Sequence, residues 1–334
     1  MNVVEFDRVS IVFGDRPEAA LPLMDRGDDR GAIRETTGQV LGVHDCSLTV
    51  AEGEILVLMG LSGSGKSTLL RAVNALNPVV RGEVRLCIDG HMVSVTRADP
   101  ACLRKIRLSH VAMVFQQFGL LPWRTVRENV GLGLELAGLP KAQRRARVDE
   151  QLDTVGLADW ADRKVGDLSG GMQQRVGLAR AFATEAPILL MDEPFSALDP
   201  LIRARLQDEL LELQAQRRRT IIFVSHDLDE AFKLGNRVVL MEGGRIVQIG
   251  TAQQIIQNPV SRYVEDFVAH MNPMTVLTAA DLGEPGEAAG GPLPRDLPAR
   301  QVMEALAEAE ALPLAGGGRV TRASVLARLL DPRG

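Results

Sequence analysis

Residues 55–68 read ILVLMGLSGSGKST, and this stretch decides the fold of the chain. The apolar run 55–59 has the β-branched and aliphatic composition of a buried strand. It breaks at Gly60 into a glycine-rich turn that leads to Lys66. This order predicts a strand, a phosphate-binding loop and the start of a helix.

The turn suits a polyphosphate because its glycines carry no Cβ, so that successive backbone N–H groups can point inward at an anion. A helix expected over 67–75 directs its positive end at the same anion. Lys66 is placed to reach the β and γ phosphates, and the Ser67 hydroxyl can supply an oxygen ligand to Mg²⁺. A flexible glycine-serine turn is the alternative, which the complete strand-to-helix pattern disfavours. The residues predicted to bind the nucleotide here are Gly60, Leu61, Ser62, Gly63, Ser64, Gly65, Lys66, Ser67 and Thr68.

The composition predicts a globular protein, since 46% of the 334 residues are hydrophobic. The 38 basic and 43 acidic residues give a net charge of −5, without the basic excess that nucleic-acid binding requires. The apolar runs are far shorter than the ~20 residues of a membrane-spanning helix, and the start MNVVEFDRVS has no charged-then-apolar leader. We therefore expect a chain that neither spans a membrane nor carries an export signal.

The three cysteines, Cys46, Cys87 and Cys102, are an odd number and form no CxxC pair. This pattern disfavours a disulfide framework or a zinc site. They are expected to act as small hydrophobic residues in a reducing cytosol.

The order of strand-like and helix-like segments predicts an α/β fold with a parallel sheet covered on both faces. A polar segment, 15–43, is expected to form a surface insertion between the first two strands. Strands are predicted at 2–13, 44–59, 82–95, 111–115, 188–192, 220–224 and 237–249. Helices are predicted within 100–166 and near 172–184, 200–216 and 227–234.

The tail has a different composition from the rest of the chain. Residues 274–298 are rich in proline and glycine, which predicts a linker. Residues 299–334 contain two helix-like pieces and are expected to form a small C-terminal region.

Four polar residues stand at or just beyond the ends of predicted strands. Asp192 and Glu193 end the run ILLMDE, and two adjacent buried carboxylates are costly unless a cation or a reacting water uses them. Asp192 suits the outer shell of Mg²⁺, and Glu193 suits the base that deprotonates the attacking water. His226 can bind the γ-phosphate, although a neighbour of a helix cap with no chemical role is its alternative reading. With Gln116 and the phosphate loop, these residues are predicted to meet at one sheet edge.

The run LSGGMQQR at 168–175 offers a second anion-binding helix start, at Ser169, Gly170 and Gly171. One chain already has a phosphate loop. A second such feature is best explained if it serves the nucleotide of a partner chain.

In this order, the motifs resemble those of ATP-binding subunits of ATP-binding cassette (ABC) transporters, over residues 2–270. The resemblance implies a RecA-like P-loop NTPase core with an N-terminal antiparallel β subdomain, and a helical subdomain at 117–170, in an ATP-binding domain 1–273. The matching motifs are the Walker A loop GLSGSGKST, the Q-loop Gln116, the signature LSGGMQQR, the Walker B run ILLMDE, the D-loop residues Ser196, Ala197, Leu198 and Asp199, and the switch His226.

The resemblance also implies a head-to-tail dimer with two ATP molecules between the chains. In that dimer the nucleotide lies between one chain's phosphate loop and the other chain's Ser169, Gly170, Gly171 and Asp199. The implied catalytic residues are Glu193, His226, Lys66 and Gln116, and the implied Mg²⁺ site comprises Ser67, Gln116 and Asp192. Phe13 matches the aromatic residue that stacks on adenine, with simple core packing as the alternative.

Several longer stretches resemble the subunits that drive uptake of glycine betaine, proline and choline. They include VLMGLSGSGKSTLLRAVNALNPVVRGEV and FSALDPLIRARLQDELLELQ, together with the insertion at 15–43. Relatives in that group often carry two CBS domains after the cassette. The segment after 274 has room for a shortened remnant at most.

The implied partners are a second copy, membrane-spanning permease subunits and, indirectly, an extracellular or periplasmic binding protein, at the cytoplasmic face of the membrane. The stretch 118–126, which includes Leu120, Leu121 and Trp123, is the expected permease contact, unless Trp123 is buried in the helical subdomain. The chain shows no aromatic cage for a quaternary ammonium group, so substrate choice is expected in other subunits. A cassette ATPase acting on DNA or ribosomes, a different transported substrate and a P-loop kinase are the alternative readings.

Overall fold

The computed structural model describes residues 1–269 and 271–330. The end of the predicted C-terminal region, 331–334, lies outside the described residues. The chain divides into two compact units, Met1–His226 with Met241–Ile246, and Asp227–Leu240 with Val247–Gly334. Each unit is described by itself below.

Strands and helices are numbered along the whole chain. The strands are β1 (Asn2–Phe13), β2 (Val40–Ala51), β3 (Ile55–Met59), β4 (Arg81–Ile88), β5 (His91–Ser94), β6 (Val111–Val114), β7 (Ile188–Asp192), β8 (Thr220–Val224), β9 (Arg237–Glu242), β10 (Arg245–Gly250), β11 (Ala311–Pro313) and β12 (Arg319–Thr321). The helices are α1 (Leu21–Arg26), α2 (Arg30–Thr37), α3 (Lys66–Leu70), α4 (Pro100–Ser109), α5 (Val126–Val130), α6 (Leu132–Leu136), α7 (Lys141–Thr154), α8 (Gly170–Ala183), α9 (Pro200–Arg217), α10 (Leu228–Leu234), α11 (Ala252–Gln257), α12 (Arg262–Val268), α13 (Ala279–Leu282), α14 (Ala299–Ala305) and α15 (Arg322–Leu330). Short 3₁₀ turns occupy Pro17–Ala20, Ala158–Trp160, Val165–Asp167 and Pro273–Thr275.

The first unit begins with an antiparallel sheet in the order β2-β1-β4-β5. β1 and β2 are each twelve residues long, and their pairing places Phe13 opposite Val40. The Asp89-Gly90 turn joins β4 to β5, with positive φ angles of 51° and 84° at its two residues. This arrangement confirms the antiparallel subdomain that the sequence predicts.

A parallel sheet forms the centre of the first unit, with β3, β8, β7 and β6 as adjacent strands. Every residue of β3, β7 and β8 is buried, as expected for strands that helices cover on both faces. The first unit also includes Met241–Ile246, which contains the end of β9, the turn after it and the start of β10. The predicted parallel α/β core is confirmed.

The segment between β1 and β2 contains α1 and α2 and ends at Gln39, because β2 takes up residues 40–43 of the stretch predicted as an insertion. Its buried side chains Ala20, Leu23, Met24 and Ile33 pack with Val12 of β1 and Leu41 of β2 in one small core. The insertion is therefore a folded element rather than an open loop.

Helix α3 is shorter than the predicted helix over 67–75. Beyond Leu70 the N–H groups of Ala72, Val73 and Ala75 bond to carbonyls three residues back. This tighter geometry ends the regular helix after five residues. The start of the helix, which lies at the phosphate loop, is where the sequence predicts it.

The helical block of the first unit comprises α5 to α8. Thr125 and Glu128 form a reciprocal capping box at the start of α5. The fully buried Asn129 satisfies the backbone of the preceding loop, because its Oδ1 accepts from Leu121 N at 2.7 Å and its Nδ2 donates to Leu121 O at 3.1 Å. These bonds fix the loop that follows Gln116.

The second unit has a separate hydrophobic core made of residues from 277 to 325. The antiparallel pair β11 and β12 places Leu312 opposite Val320. Residues 274–298, which the composition marks as a linker, contribute Leu277, Ala279, Leu282 and Leu293 to this core. Across 1–269 and 271–330, none of the helices has the length and apolar character needed to cross a bilayer.

Candidate active site

The phosphate loop follows β3 in a conformation that requires glycine. Gly60 has a φ of 140°, and a Cβ there would lie 2.1 Å from the carbonyl oxygen of Met241. Gly65 has a φ of 99°, and a Cβ there would lie 2.8 Å from the Gly42 carbonyl oxygen. Side chains at either position would both strain the backbone and displace its neighbours.

Lys66 is folded back into this loop. Its Nζ donates to the carbonyl oxygens of Gly60 at 2.7 Å and Leu61 at 2.9 Å. Burial lowers the pKa of the Lys66 ammonium, and the nearby carboxylates of Glu193 and Asp192 oppose that shift. The ammonium is therefore already positioned inside the loop, bonded to weak neutral acceptors that an anion can replace.

Asp192 ends β7 with a carboxylate that is wholly buried. Its Oδ1 accepts from the Ser67 hydroxyl at 2.6 Å, which joins two residues that are 125 positions apart in the sequence. Its Oδ2 accepts from Arg71 Nη2 at 2.7 Å. Sequence reasoning missed Arg71, although a basic residue four positions after Ser67 lies within reach of the same helix face.

Glu193 stands one residue beyond β7, and both of its carboxylate oxygens are engaged. Gln116 Nε2 donates to Oε2 at 2.9 Å, and His226 Nε2 lies 2.5 Å from Oε1. Glu193 has a φ of 52°, in the left-handed region that costs a residue with a side chain ~1–3 kcal/mol and that concentrates at functional sites. Its side chain is 14% exposed, which leaves a route for water.

Comparison with known proteins agrees with this geometry. The sequence profile of the ABC transporter family matches residues 43–196. The "Glycine betaine/proline betaine transport system ATP-binding protein ProV" of Salmonella typhimurium is 48% identical over 271 residues, which cover 81% of this chain and 67% of that relative. The "Trimethylamine N-oxide transport system ATP-binding protein TmoW" of Ruegeria pomeroyi is 41% identical over 322 residues, covering 95% of this chain and 93% of the relative.

This chain belongs to the ATP-binding proteins of ABC transporters. A solved structure entitled "Dimeric structure of a post-hydrolysis state of the ATP-binding cassette MJ0796 bound to ADP and Pi" is 31% identical, with a TM-score of 0.64 over 74% of this chain and 98% of that one. The family, the cassette fold and the ATPase activity expected from the motifs are thereby confirmed. The protein is an ATP-binding cassette that hydrolyses ATP to power transport.

The signature segment of this cassette begins α8. Ser169 caps that helix, and its Oγ accepts from Met172 N at 3.4 Å. Ser169 and Gly170 are exposed. Among the described residues, no hydrogen bond joins Ser169, Gly170 or Asp199 to the phosphate loop of the same chain. Asp199 instead caps α9, where its Oδ1 accepts from Ile202 N at 3.0 Å.

Gln174 connects the signature helix to the catalytic edge, and sequence reasoning missed it. Its side chain is 1% exposed, its Nε2 donates to the Glu193 carbonyl at 3.1 Å, and its Oε1 accepts from Ala197 N at 3.0 Å. One buried amide therefore joins the backbone at Glu193 to the backbone of the D-loop at Ala197. A glutamine on the predicted helix carried no signal that its partners were 19 and 23 positions away.

Phe13 ends β1 close to the phosphate loop of the cassette. A Cβ on Gly42 would lie 2.9 Å from Phe13 Cε2 and 2.9 Å from Thr68 Cγ2, so the ring packs over Gly42 toward the loop. The residue is 38% exposed, which leaves ring surface open to solvent. This position lies between β2 and the start of α3.

Proposed function

We propose that this cassette is the ATP-hydrolysing subunit of an importer for quaternary ammonium compounds and similar solutes, such as choline, glycine betaine or proline. The observation that carries the proposal is the 48% identity to a glycine betaine/proline betaine transport protein, which extends well beyond the family motifs. The insertion between β1 and β2 is among the features of that resemblance. The proposal includes a location at the cytoplasmic face of the inner membrane.

In the proposed reaction, Glu193 accepts a proton from the water that attacks the γ-phosphorus of ATP. Supporting this role, Gln116 and His226 hold the carboxylate at the ends of three parallel strands, and Lys66 lies in the adjoining loop. His226 orients Glu193 and binds the γ-phosphate, and Lys66 balances the negative charge of the β and γ phosphates. Phe13 stacks on the adenine ring.

Ser67 and Asp192 fit a Mg²⁺ site, because a hydroxyl and a carboxylate oxygen lie 2.6 Å apart and both are hard oxygen ligands. The cation supplies charge neutralisation for the phosphates when it is bound. Gln116, the third predicted ligand, donates to Glu193 in this structure. We propose that Gln116 becomes a ligand of the cation when Mg-ATP is bound.

We further propose a head-to-tail dimer in which each ATP lies between the phosphate loop of one chain and Ser169, Gly170, Gly171 and Asp199 of the other. The exposure of Ser169 and Gly170 supports this, as does the dimeric state of the solved relative. The test is gel filtration of Glu193→Gln with Mg-ATP. A dimer that Ser169→Arg abolishes is expected, and an active monomer would contradict the proposal.

The permease partner is proposed to contact residues 118–126. Trp123 is 68% exposed there, which supports a contact rather than burial within the helical block. Trp123 also lines a cavity together with Arg127, Arg144 and Lys164. Two of these basic residues are paired with carboxylates, Arg127 with Asp149 and Arg144 with Glu135. Through the permease, the cassette acts indirectly with an extracellular or periplasmic binding protein.

Uptake of labelled glycine betaine and choline, in cells with and without this chain, tests the substrate class. Loss of uptake in cells that carry Glu193→Gln in place of the natural chain is expected. Uptake that is unchanged when the chain is deleted would contradict the assignment.

Trimethylamine N-oxide is a second candidate substrate, favoured by one specific observation. The TmoW relative aligns with 95% of this chain, whereas the ProV relative aligns with 81%. Adding labelled trimethylamine N-oxide to the uptake experiment separates the two.

Two predictions about the organisation of the chain belong to this proposal. The domain bounds are 1–273, 274–298 and 299–334, and the tail is interpreted as a shortened CBS remnant.

A further inference from the structure

The insertion between β1 and β2 places one arginine against the outside of the phosphate loop. Arg30, the first residue of α2, donates from Nη1 to the carbonyl oxygen of Gly63 at 2.5 Å. Its Nη2 donates to the carbonyl oxygen of Gly42. The guanidinium thus joins the loop to β2 through two hydrogen bonds, to residues that lie 33 and 12 positions away in sequence.

A second donor holds the next carbonyl of the loop from the same side. Gly244 N donates to the Ser64 carbonyl oxygen at 3.1 Å. In a planar trans peptide the C=O and the following N–H point in opposite directions. With the Gly63 and Ser64 carbonyls held outward, the N–H groups of Ser64 and Gly65 are directed into the loop. There Ser64 N donates to the Leu61 carbonyl oxygen at 3.1 Å, a neutral acceptor that an anion can replace.

Arg30 is held firmly in this position. Asp29 caps α2 by accepting from Ala32 N at 2.8 Å, and Ile33 on the same helix is wholly buried in the core of the insertion. A Cβ on Gly244 would lie 2.5 Å from Arg30 Nη2, so the guanidinium fills the space beside that glycine. Both terminal nitrogens of Arg30 are therefore bonded to main-chain carbonyls, and its Nε atom is buried.

We propose that the insertion is a brace for the phosphate loop, and that Arg30 is its positioning residue. The guanidinium keeps the loop in the conformation that receives ATP phosphates, and it does so without touching the nucleotide. The brace affects ATP binding, because the hydrogen bonds of Arg30 hold the phosphate loop in shape before hydrolysis begins at Glu193. The proposal is independent of the transported substrate.

The test compares Arg30→Ala, Arg30→Lys and the matched control Arg34→Ala, which removes an exposed arginine from the same helix. The affinity of the purified chain for Mg-ATP is measured directly, with KM and kcat. Because Arg30→Ala removes a charged hydrogen bond to the loop, we expect Kd and KM for Mg-ATP to rise ~10-fold, with kcat within about twofold of wild type. Arg30→Lys is expected to recover part of the affinity, because an ammonium can keep one of the two bonds.

Hydrogen exchange of the Ser64 and Gly65 amides separates positioning from general loss of stability. Faster exchange at these amides, with thermal unfolding within a few degrees of wild type, is expected for Arg30→Ala and not for Arg34→Ala. The brace is overturned if Arg30→Ala binds Mg-ATP as tightly as wild type, or if Arg34→Ala weakens binding equally. Because no permease is present, these outcomes are distinct from failure of the uptake experiment.

Discussion

The Nε2 atom of His226 lies 2.5 Å from Oε1 of Glu193, although the two residues are 33 positions apart. The register of the parallel sheet explains the contact, because Asp192 at the end of β7 pairs with Val224 at the end of β8. Both strands therefore end at the same edge of the sheet. Glu193 N also donates to the Val224 carbonyl at 3.2 Å. Strand pairing therefore sets the distance between the proposed base and its histidine.

The first prediction concerns Glu193→Gln. A general base contributes ~10² to 10⁴ in rate, or ~2.7 to 5.4 kcal/mol, so phosphate release is expected to fall by that factor while Mg-ATP binding is retained. The amide keeps the shape of the side chain and removes its basicity. Steady-state phosphate release and equilibrium binding measure the two effects. Undiminished turnover would refute the role of Glu193.

The second prediction concerns the ion pair under the phosphate loop. Breaking a buried pair costs ~3–5 kcal/mol, and since Arg71 is 36% exposed, the expected loss in the free energy of unfolding for Arg71→Ala is about 2 kcal/mol. Removing the guanidinium leaves the buried Asp192 carboxylate with Ser67 alone. Denaturant unfolding measures the change. Arg104→Ala, at an exposed position on α4, is the control, and an equal loss of stability in both variants contradicts the prediction.

The third prediction concerns Gln174→Ala. The substitution leaves the Glu193 carbonyl and Ala197 N–H without their buried partner, so the backbone at Glu193 and in the D-loop loosens. Because Glu193 is then less well positioned, we expect kcat to fall ~10-fold.

Gln173→Ala is the control for that substitution. Gln173 Nε2 donates to the carbonyls of Val165 and Leu168 at 3.1 Å, and neither acceptor adjoins Glu193. Its loss is expected to lower stability with little change in kcat. Equal kcat values for the two variants would show that Gln174 has a structural role alone.

The fourth prediction concerns Cys46. Burial raises the pKa of its thiol from 9.0 to about 12, so it is protonated at neutral pH and reacts slowly with alkylating reagents. Cys87 and Cys102, which are partly exposed, are expected to be labelled first by iodoacetamide in the native protein. Mass spectrometry of the labelled peptides measures the order. Labelling of Cys46 at the same rate as the other two contradicts the prediction.

The same pKa shift has a consequence for stability at high pH. Below pH 9 the Cys46 thiol is protonated in both the folded and the unfolded protein, so it has no effect there. Between pH 9 and about 12 the unfolded chain ionises first, and the free energy of unfolding falls by up to ~1.4 kcal/mol per pH unit. Cys46→Ser is expected to alter this slope in alkaline denaturation curves.

The sequence by itself determined the family, the parallel core and most of the proposed catalytic residues. It could do so because apolar runs such as Ile55–Met59 and Ile188–Asp192 are readable as buried strands, and chemistry in this fold follows strand ends. The glycines at 60 and 65 were equally readable, since a loop that turns its N–H groups inward leaves no room for a Cβ. These features depend on local residue patterns.

Only the tertiary structure decided which side chains hold that site in place. Arg71 meets Asp192 across 121 positions, Gln174 meets Glu193 across 19, and Arg30 meets Gly63 across 33. Arg71 has only its spacing from Ser67 as a local signal, and Gln174 and Arg30 have none, because each contact depends on strand register and on the path of a connecting segment. The packing of the tail residues 274–298 around Leu277 and Leu282 has the same origin. Periodicity describes one element at a time, whereas these partners are chosen by how elements come together.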